Sequence, residues 1–402
     1  MIKSVNYCRN CEGELNSVIE FGKMPIANGF LNKNEIAKEV FFNLTSMYCS
    51  SCSLFQLLEN PSPEQMFHEN YAYYSGQSSL MQDHFKKLAD FIEKTGDTNK
   101  KILEIGNNDG GVIEYLNEKN ICVGVEPSKN VADVSIKKGL QVENNYFNLK
   151  IAELLITKYE KFDYIISLNV LAHIPDINSV FSGISKLLKN DGVYITEDPY
   201  LLDMFDQCSY DQVYDEHIFI FSLLSMSKII SKFDLEIFNI EKVNTAGGSM
   251  RYFIGKKNQH KIHNNVTNQI SEEMRVNLLS EKPYKQFNQD CQNSKKSLLE
   301  KIDSYLLQKK TICSYGATSK STTIFNFCNI DENRIKFITD TTPIKQNKLS
   351  PGMHIPIYDY EFFNRNKTDV IFLAAWNLKK EIFNKEKNNF SGKWISHIDD
   401  FI

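Results

Sequence analysis

The chain has 402 residues, of which 42% are hydrophobic and 24% are charged, and its formal net charge is −4. These values are ordinary for a globular protein of two or three domains and argue against a polybasic protein that binds nucleic acid or anionic membranes. No stretch reaches the roughly 18 apolar residues of a membrane-spanning helix, and the first residues lack the apolar core of a secretion signal. We therefore expect a cytoplasmic monomer that binds neither nucleic acid nor membrane.

Four of the nine cysteines form two close pairs near the N-terminus. Two residues separate Cys8 from Cys11, and two separate Cys49 from Cys52, so both thiolates of a pair can face one point. Two such pairs complete a tetrahedral four-sulfur site for Zn²⁺. Because four protein ligands leave no coordination position for a substrate, we predict a structural zinc in a module over residues 1–68.

Tyrosines and serines are concentrated in residues 68–79, directly after the predicted module, and Tyr71, Tyr73 and Ser78 lie among them. Such a cluster is either a packed junction between a loop and a helix or a pocket wall whose hydroxyls bind a polyol such as a sugar. The residues alone leave both interpretations open.

Residues 101–116 have the pattern of a buried strand, a glycine turn and a helix. They lie within a predicted domain over residues 69–255. The turn has glycines at 106 and 110, unlike the Gly-x-Gly-x-x-Gly pattern that cradles a dinucleotide pyrophosphate. This spacing favours S-adenosylmethionine, which has no pyrophosphate. Glu126 ends the next strand, where an acid can accept hydrogen bonds from both hydroxyls of a ribose. The alternative is an α/β core that binds no nucleotide.

Two later segments of this domain carry candidate catalytic residues. His173 follows a predicted strand at the edge where α/β sheets bind ligands, although a histidine there is as often structural. Residues 210–222 place Tyr214, Glu216 and His217 before an apolar run. A carboxylate beside an imidazole raises its basicity and orients it, as a general base requires. The alternative is a capped core helix in which the histidine is incidental.

The C-terminal part contains a second nucleotide-type pattern. Residues 245–251, with two glycines, a serine and Arg251, are typical of a loop that holds an anion or a carbonyl oxygen. The polar residues 256–300 predict a helical linker, and residues 301–402 predict a second α/β domain with a glycine turn after Tyr315. Two such folds indicate two nucleotide-bearing ligands, a cofactor and a nucleotide-linked substrate. The alternative is an interaction or scaffold domain.

The order of these motifs resembles that of bacterial C-methyltransferases that act on nucleotide-linked 4-keto deoxysugars, and the resemblance covers almost the whole chain. The family implies an α/β protein with an N-terminal four-cysteine zinc module, a central Rossmann-like class I S-adenosylmethionine-dependent methyltransferase domain and a C-terminal Rossmann-like domain. The motifs that carry the resemblance are the four cysteines, 24–28, 104–110, 124–128, 172–174, 214–217, 247–251, 315–317 and 351–356.

The resemblance also implies a reaction. The ketone acidifies the C-3 hydrogen of the sugar, His217 removes it, and the resulting carbanion attacks the methyl group of S-adenosylmethionine. The implied catalytic residues are His217, Glu216, Tyr214, His173 and Tyr73. The cofactor-binding residues that we predict are Glu104, Gly106, Asn108, Asp109, Gly110, Glu126, Pro127 and Asn169. The substrate-binding residues are Tyr71, Ser78, Arg251, Tyr315 and Lys320, and the C-terminal domain is expected to help hold the nucleotide diphosphate.

Three positions depart from the family pattern. Asp215 and Ala246 stand where the family has histidines, and Ile220 stands where a tyrosine is frequent. Glu216 and His217 remain, so we still expect catalysis. The departures leave two alternatives open, namely an O- or N-methyltransferase acting on a related saccharide and a non-catalytic scaffold that binds zinc and nucleotide.

Overall fold

The computed structural model describes residues 2–67, 71–94, 96 and 98–398. The predicted domain boundary between residues 68 and 69, and the start of the tyrosine and serine cluster at His68, lie outside the described residues. The described chain folds into three α/β or β units connected in sequence. None of its helices is long and apolar enough to span a membrane.

The N-terminal unit is built on antiparallel strands. Alternate residues of its longest central strand, among them Phe42, Leu44 and Tyr48, are buried, which is the period of a strand with one face on the core. Its elements are β1 (Lys3–Ser4), β2 (Leu15–Pro25), β3 (Phe41–Cys49), β4 (Phe55–Leu57), β5 (Glu59–Asn60) and α1 (Pro63–Met66). Strands β2, β3 and β4 pair in that order, and β1 pairs with β5.

The central unit is a doubly wound sheet. Its elements are α2 (Ser79–Glu93), β6 (Lys101–Ile105), α3 (Ile113–Leu116), β7 (Ile121–Val125), α4 (Lys129–Lys137), β8 (Val142–Glu143), α5 (Leu149–Tyr159), β9 (Phe162–Leu168), α6 (Ile177–Leu187), β10 (Leu188–Pro199), α7 (Leu201–Asp206), β11 (Phe219–Ile220), α8 (Leu223–Ile230), β12 (Leu235–Val243) and β13 (Ser249–Lys256). Over the described residues, the sheet order is β12-β13-β10-β9-β6-β7-β8. Only β13 runs antiparallel to its neighbours.

The strand order places a ligand site between β6 and β9. The chain winds outward from β6 to β7 and β8 and then returns to pair β9 with the other side of β6. Doubly wound sheets bind ligands at the carboxyl ends of the strands at such a reversal. Strand β11 belongs to the other sheet, because it pairs with β4 of the N-terminal unit. This pairing holds the chain just after His217 against the N-terminal unit.

Two linker helices, α9 (Asn264–Val276) and α10 (Lys282–Leu307), pack on the units they connect. Glu273 accepts hydrogen bonds from the Leu223 and Leu224 amides, both at 2.7 Å, and so caps the first turn of α8. Tyr284 stacks on Tyr48 with 3.9 Å between ring centroids. The linker is therefore part of the packed molecule.

The C-terminal unit is a parallel sheet with Rossmann-like order. Its elements are β14 (Ile312–Tyr315), α11 (Ser319–Cys328), β15 (Ile338–Thr339), β16 (Ile357–Tyr358), α12 (Tyr360–Arg365), β17 (Val370–Leu373), α13 (Lys379–Glu386) and β18 (Lys393–Ile395). The strand order is β16-β15-β14-β17-β18 over the described residues, with all pairings parallel. Its reversal between β14 and β17 creates a second potential ligand site.

Candidate active site

A cavity of about 900 Å³ lies where the carboxyl ends of the two parallel sheets face each other. The turns after β6, β7 and β9 line one side, and those after β14, β15 and β17 line the other. Asn28 of the N-terminal unit also borders the cavity. A ligand in this space therefore contacts all three units.

The cofactor side is built on the turn after β6. Gly106 has φ +70°, and a Cβ there would lie 2.5 Å from a Val170 methyl carbon, so the turn requires glycine. The Glu126 carboxylate accepts the amide of Asn108 at 3.1 Å and that of Ser128 at 2.8 Å, one on each oxygen. Each oxygen keeps a second lone pair, as a ribose diol requires. Burial raises the pKa of Glu126 to about 7 in spite of these bonds.

Asp109 holds the tyrosine and serine loop rather than facing the cavity. Its Oδ1 accepts the Ser75 hydroxyl at 3.0 Å and the Gly76 amide at 2.9 Å. Asn108 adds a bond from its side-chain nitrogen to the Tyr73 carbonyl at 3.2 Å. These bonds fasten residues 71–78 over the cofactor side, where Tyr71 and Ser78, predicted to bind substrate, and Tyr73, predicted to be catalytic, line the cavity.

Two further predicted cofactor residues have different roles. Glu104 borders the cavity, but its oxygens accept the Val112 and Ile113 amides at 3.0 and 2.9 Å and so cap α3. Burial raises its pKa to about 7. Gly110 is not among the lining residues, whereas Gly111 is. We correct the prediction for Asp109 and Gly110, which shape the turn without lining the cavity. Gly106, Asn108 and Glu126 line the cavity, and Glu104 both lines it and caps α3.

The exit of β9 offers two unpartnered polar atoms to the cavity. Asn169 has φ +56°, and His173 ends a short 3₁₀ turn that begins at Leu171. Asn169 Oδ1 and His173 Nε2 are buried without a hydrogen-bond partner among the described residues. Both residues, together with Pro127, line the cavity. Burial lowers the pKa of His173 to about 4, so its ring is neutral and can accept or donate one bond to a ligand.

His217 has a defined tautomer. Its Nδ1 lies 2.7 Å from the Gln212 carbonyl oxygen, which can only accept, so Nδ1 carries the proton. Its Nε2 therefore holds a lone pair, and the Tyr214 hydroxyl lies 2.8 Å away. Burial holds the pKa of His217 well below its usual value, and the nearby His173 ring lowers it further. The imidazole is thus neutral at physiological pH and can take up a proton at Nε2.

Glu216 links the segment around His217 to the N-terminal unit and to the loop that contains Tyr71. Its oxygens accept the Asn28 side-chain amide at 2.6 Å and the Tyr71 hydroxyl at 3.1 Å. Burial raises its pKa to about 7, and those two bonds oppose the increase. Asp215 points elsewhere, because it accepts the Ala27 amide at 3.0 Å and does not line the cavity.

The C-terminal unit also holds this segment. The hydroxyl of Thr323 in α11 donates to the Val213 carbonyl at 2.9 Å. The indole of Trp376 donates to Asp211 at 2.6 Å. Residues 211–217, which we call the catalytic segment, are therefore held by groups from all three units.

The C-terminal side of the cavity contains the predicted Tyr315 and Lys320, both lining residues. The first turn of α11 opens toward the cavity through Thr318 and Ser319, which gives a site where backbone amides can face an anion. Lys345, which the sequence analysis missed, also lines the cavity and donates to the Ala317 carbonyl at 2.8 Å.

Arg251 does not face the cavity, which corrects its prediction as a substrate ligand. Its guanidinium lies 2.6 Å from Glu197 and 2.8 Å from Glu241, both on neighbouring strands. The glycines before it serve packing, because a Cβ on Gly247 would lie 2.2 Å from the Trp376 ring. The loop nevertheless borders the cavity through Ala246, whose carbonyl accepts bonds from two side chains.

The four paired cysteines meet at one point. Their Sγ atoms all lie within 4.8 Å of one another, as four thiolates around a single zinc ion require. Both cysteine-pair loops are bound to the central unit, because Lys228 donates to the Ser51 carbonyl at 2.7 Å and Asn178 donates to the Arg9 carbonyl at 3.0 Å. The cysteines do not line the cavity, so the zinc site stabilises the fold and does not contact the reactants.

Comparison with known proteins agrees with this architecture. The chain matches the sequence profiles of a zinc binding domain (residues 8–67), a methyltransferase domain (79–240) and a C-methyltransferase C-terminal domain (244–398). The C-methyltransferase NovU of Streptomyces niveus is 28% identical over 393 residues, which are 96% of this chain and 93% of NovU. The three profiles together lie within residues 8–398, so the chain is a methyltransferase that is similar to a C-methyltransferase over almost its whole length.

Other methyltransferases match smaller shares of the chain. A ubiquinone biosynthesis O-methyltransferase of Bartonella quintana is 33% identical over 97 residues, which are 24% of this chain and 39% of that enzyme. A solved S-adenosylmethionine-dependent methyltransferase from Clostridium acetobutylicum is 17% identical, with a TM-score of 0.35 over 43% of this chain and 92% of its own.

The predicted fold class and cofactors of this methyltransferase are confirmed. S-adenosylmethionine fits the turn at Gly106, where Glu126 can accept from a ribose and the orphaned Asn169 and His173 atoms can meet polar groups. Structural Zn²⁺ fits the four-cysteine cluster. The sequence profiles identify the same two domains.

Proposed function

We propose that this methyltransferase methylates the carbon next to the ketone, C-3, of a nucleotide-linked 4-keto-6-deoxysugar. The observation that carries the proposal is the tautomer of His217, whose protonated Nδ1 binds the Gln212 carbonyl and makes Nε2 the basic nitrogen. The Tyr214 hydroxyl donates to Nε2 at 2.8 Å and must turn away for that lone pair to take the proton. Methylation of a carbon requires such a base, because a C–H bond must first lose its proton.

The proton transfer follows from this geometry. The C-3–H bond breaks, its electron pair forms the C-3=C-4 double bond, and the carbonyl π pair moves to the C-4 oxygen to give an enolate. The proton goes to His217 Nε2, beside the Tyr214 hydroxyl. The Gln212 carbonyl accepts from the resulting imidazolium at Nδ1 and keeps the ring in place.

S-adenosylmethionine, when bound, would supply an electrophilic methyl group, so that the C-3 electron pair would form the new C–C bond and the S–CH₃ pair would return to sulfur. The chain positions the two partners. Glu126 and the turn at Gly106 hold the donor side, and Glu216 holds Tyr71 over the acceptor. This orientation converts an encounter of two molecules into reaction within one complex.

The nucleotide part of the substrate is assigned to the C-terminal side of the same cavity. The first turn of α11 and the buried Lys345 offer positive potential for a diphosphate. A second Rossmann-like unit that faces the cofactor site supports a substrate carrying its own nucleotide. The acceptor sugar would then lie between the two nucleotide sites, beside His217.

Solvent deuterium exchange tests the proposal. The purified protein is incubated in heavy water with dTDP-, UDP-, GDP- and CDP-linked 4-keto-6-deoxysugars, with and without S-adenosylmethionine, and the sugars are read by mass spectrometry. We expect a mass gain of one deuteron without the cofactor and a carbon-bound methyl group with it. His217→Asn is the control, and it should abolish both while cofactor binding survives. Methyl transfer to oxygen or nitrogen without exchange would replace the proposal with O- or N-methylation.

A further inference from the structure

Lys320 lies in the same hydrogen-bonded cluster as the proposed base. It stands in the first turn of α11, is 9% exposed and lines the cavity. Its Nζ donates to the Ala246 carbonyl, which also accepts the side-chain amide of Gln212. The Gln212 carbonyl in turn holds Nδ1 of His217. The ammonium and the imidazole are therefore linked through the Ala246 carbonyl and Gln212.

The ammonium of Lys320 keeps hydrogen-bond donors for a ligand. Within the described part of the chain, the Ala246 carbonyl accounts for one of its three N–H groups. The Trp376 ring lies 5.0 Å away and cannot satisfy the others as an oxygen acceptor would. Asp211 balances the charge: its Oδ2 accepts the Trp376 indole at 2.6 Å, and its Oδ1 lies 3.2 Å from His397 Nε2 without a hydrogen bond among the described residues.

The two other lysines that line the cavity have different surroundings. Lys345 donates to the Ala317 carbonyl at 2.8 Å, on the turn before α11. Lys385 lies 4.0 Å from the centroid of the Tyr360 ring, on the C-terminal unit. Only Lys320, of these three, bonds to the loop that borders the catalytic segment. Its charge also acts on His217, whose pKa it helps to lower.

The reaction proposed above needs a cation at this position. An imidazole whose pKa is depressed is a weak base, so enolate formation requires separate stabilisation of the oxygen. A preorganised cation in a site shielded from water stabilises a developing oxyanion far better than one in solvent. Burial lowers the pKa of Lys320 to about 8, which still leaves the ammonium form predominant at pH 7.

We propose that Lys320 is a catalytic residue whose ammonium donates a hydrogen bond to the C-4 oxygen of the substrate and stabilises the enolate. This inference rests on the proposed function. As His217 takes the C-3 proton, the carbonyl π pair moves to the oxygen that faces Nζ. The ammonium keeps its proton throughout, and the oxygen returns to a ketone when C-3 forms its bond to the methyl group.

The test measures the exchange rate and ligand affinity separately. Lys320→Met removes the charge, and Lys320→Gln keeps a donor without charge. Loss of an oxyanion donor costs about 10²–10³-fold in rate, so we expect a loss of that size in deuterium exchange at saturating nucleotide sugar. The dissociation constants of S-adenosylmethionine and of the matching nucleoside diphosphate should stay at wild-type values. Ethylammonium should restore part of the exchange to Lys320→Ala.

Several outcomes would overturn the inference. If both uncharged variants exchange at the wild-type rate but lose affinity for the nucleoside diphosphate, Lys320 is a phosphate ligand. If borohydride traps the sugar on Lys320, the amine acts as a nucleophile and not as an ammonium. If the wild-type protein exchanges no proton with any sugar, the proposed function itself fails, and this result is distinct from both.

Discussion

Replacing Thr323 by valine tests whether the C-terminal unit holds the catalytic segment. The Thr323 side chain is 2% exposed, and its hydroxyl donates to the Val213 carbonyl, which directly precedes Tyr214, at 2.9 Å. Valine has the same shape and cannot donate. Because the carbonyl is left without this donor in a buried position, we expect a loss of about 1–3 kcal/mol in the free energy of unfolding.

Two measurements follow from this magnitude. In a cooperative unit of about 150–250 residues, a loss of 1–3 kcal/mol lowers Tm by roughly 2–12 °C, which differential scanning calorimetry resolves. The exchange rate at saturating nucleotide sugar should fall as well, because Tyr214 and His217 follow the released carbonyl. The affinity for S-adenosylmethionine should not change, since its site is built on β6 and β7.

The matched control is Thr157→Val. The Thr157 hydroxyl donates to the Glu153 carbonyl on the exposed face of α5, so the same chemical change should alter stability by less than about 0.5 kcal/mol. If Thr323→Val has the same Tm and the same exchange rate as Thr157→Val, the bond across the two units does not hold the segment, and our reasoning about it is refuted.

Three further predictions concern the cofactor, the metal and Glu216. Since the pKa of Glu126 is raised to about 7, its carboxylate becomes protonated as pH falls from 8 to 6, and the affinity for S-adenosylmethionine measured by calorimetry should fall with it. Glu126→Gln should bind S-adenosylmethionine weakly and with a shallower dependence on pH. If the affinities of the wild type and the variant depend on pH in the same way, the prediction is wrong. Removing zinc with a chelator should abolish deuterium exchange, because the two cysteine pairs anchor the sheet that pairs with β11. A protein shown by metal analysis to lack zinc, but with the wild-type exchange rate, would disprove this. Asn28→Ala removes a hydrogen bond that lowers the pKa of Glu216, so the acid limb of the pH profile of the exchange rate should move to higher pH. If the acid limb does not move, the ionisation of Glu216 does not control the exchange rate.

Much of the fold could be predicted from local patterns in the sequence. The two cysteine pairs, the glycine turn and the acid at the end of the second strand are features whose spacing encodes their geometry. Glu126 accordingly lies where an acid at a strand end was expected. The segment around His217 was also recognisable, because charged residues before an apolar run are costly to bury without partners.

The partners of these residues could not be read from local patterns. Asn28 and Glu216 are 188 positions apart in the sequence, and their hydrogen bond arises only when the N-terminal sheet docks. Arg251 was misplaced for a related reason. A glycine-rich loop followed by an arginine resembles an anion site, but the charge is neutralised by glutamates on adjacent strands, which only the sheet order brings together.

The joint hold on the catalytic segment has a consequence for synthesis of the protein. The methyl-donor turn and Glu126 are complete once the central sheet has emerged from the ribosome, but Thr323 and Trp376 emerge much later. We expect a nascent or truncated chain that lacks them to bind S-adenosylmethionine before the proposed base, His217, is held in place. The catalytic segment is therefore held from all sides only after the residues of the C-terminal unit have been synthesised.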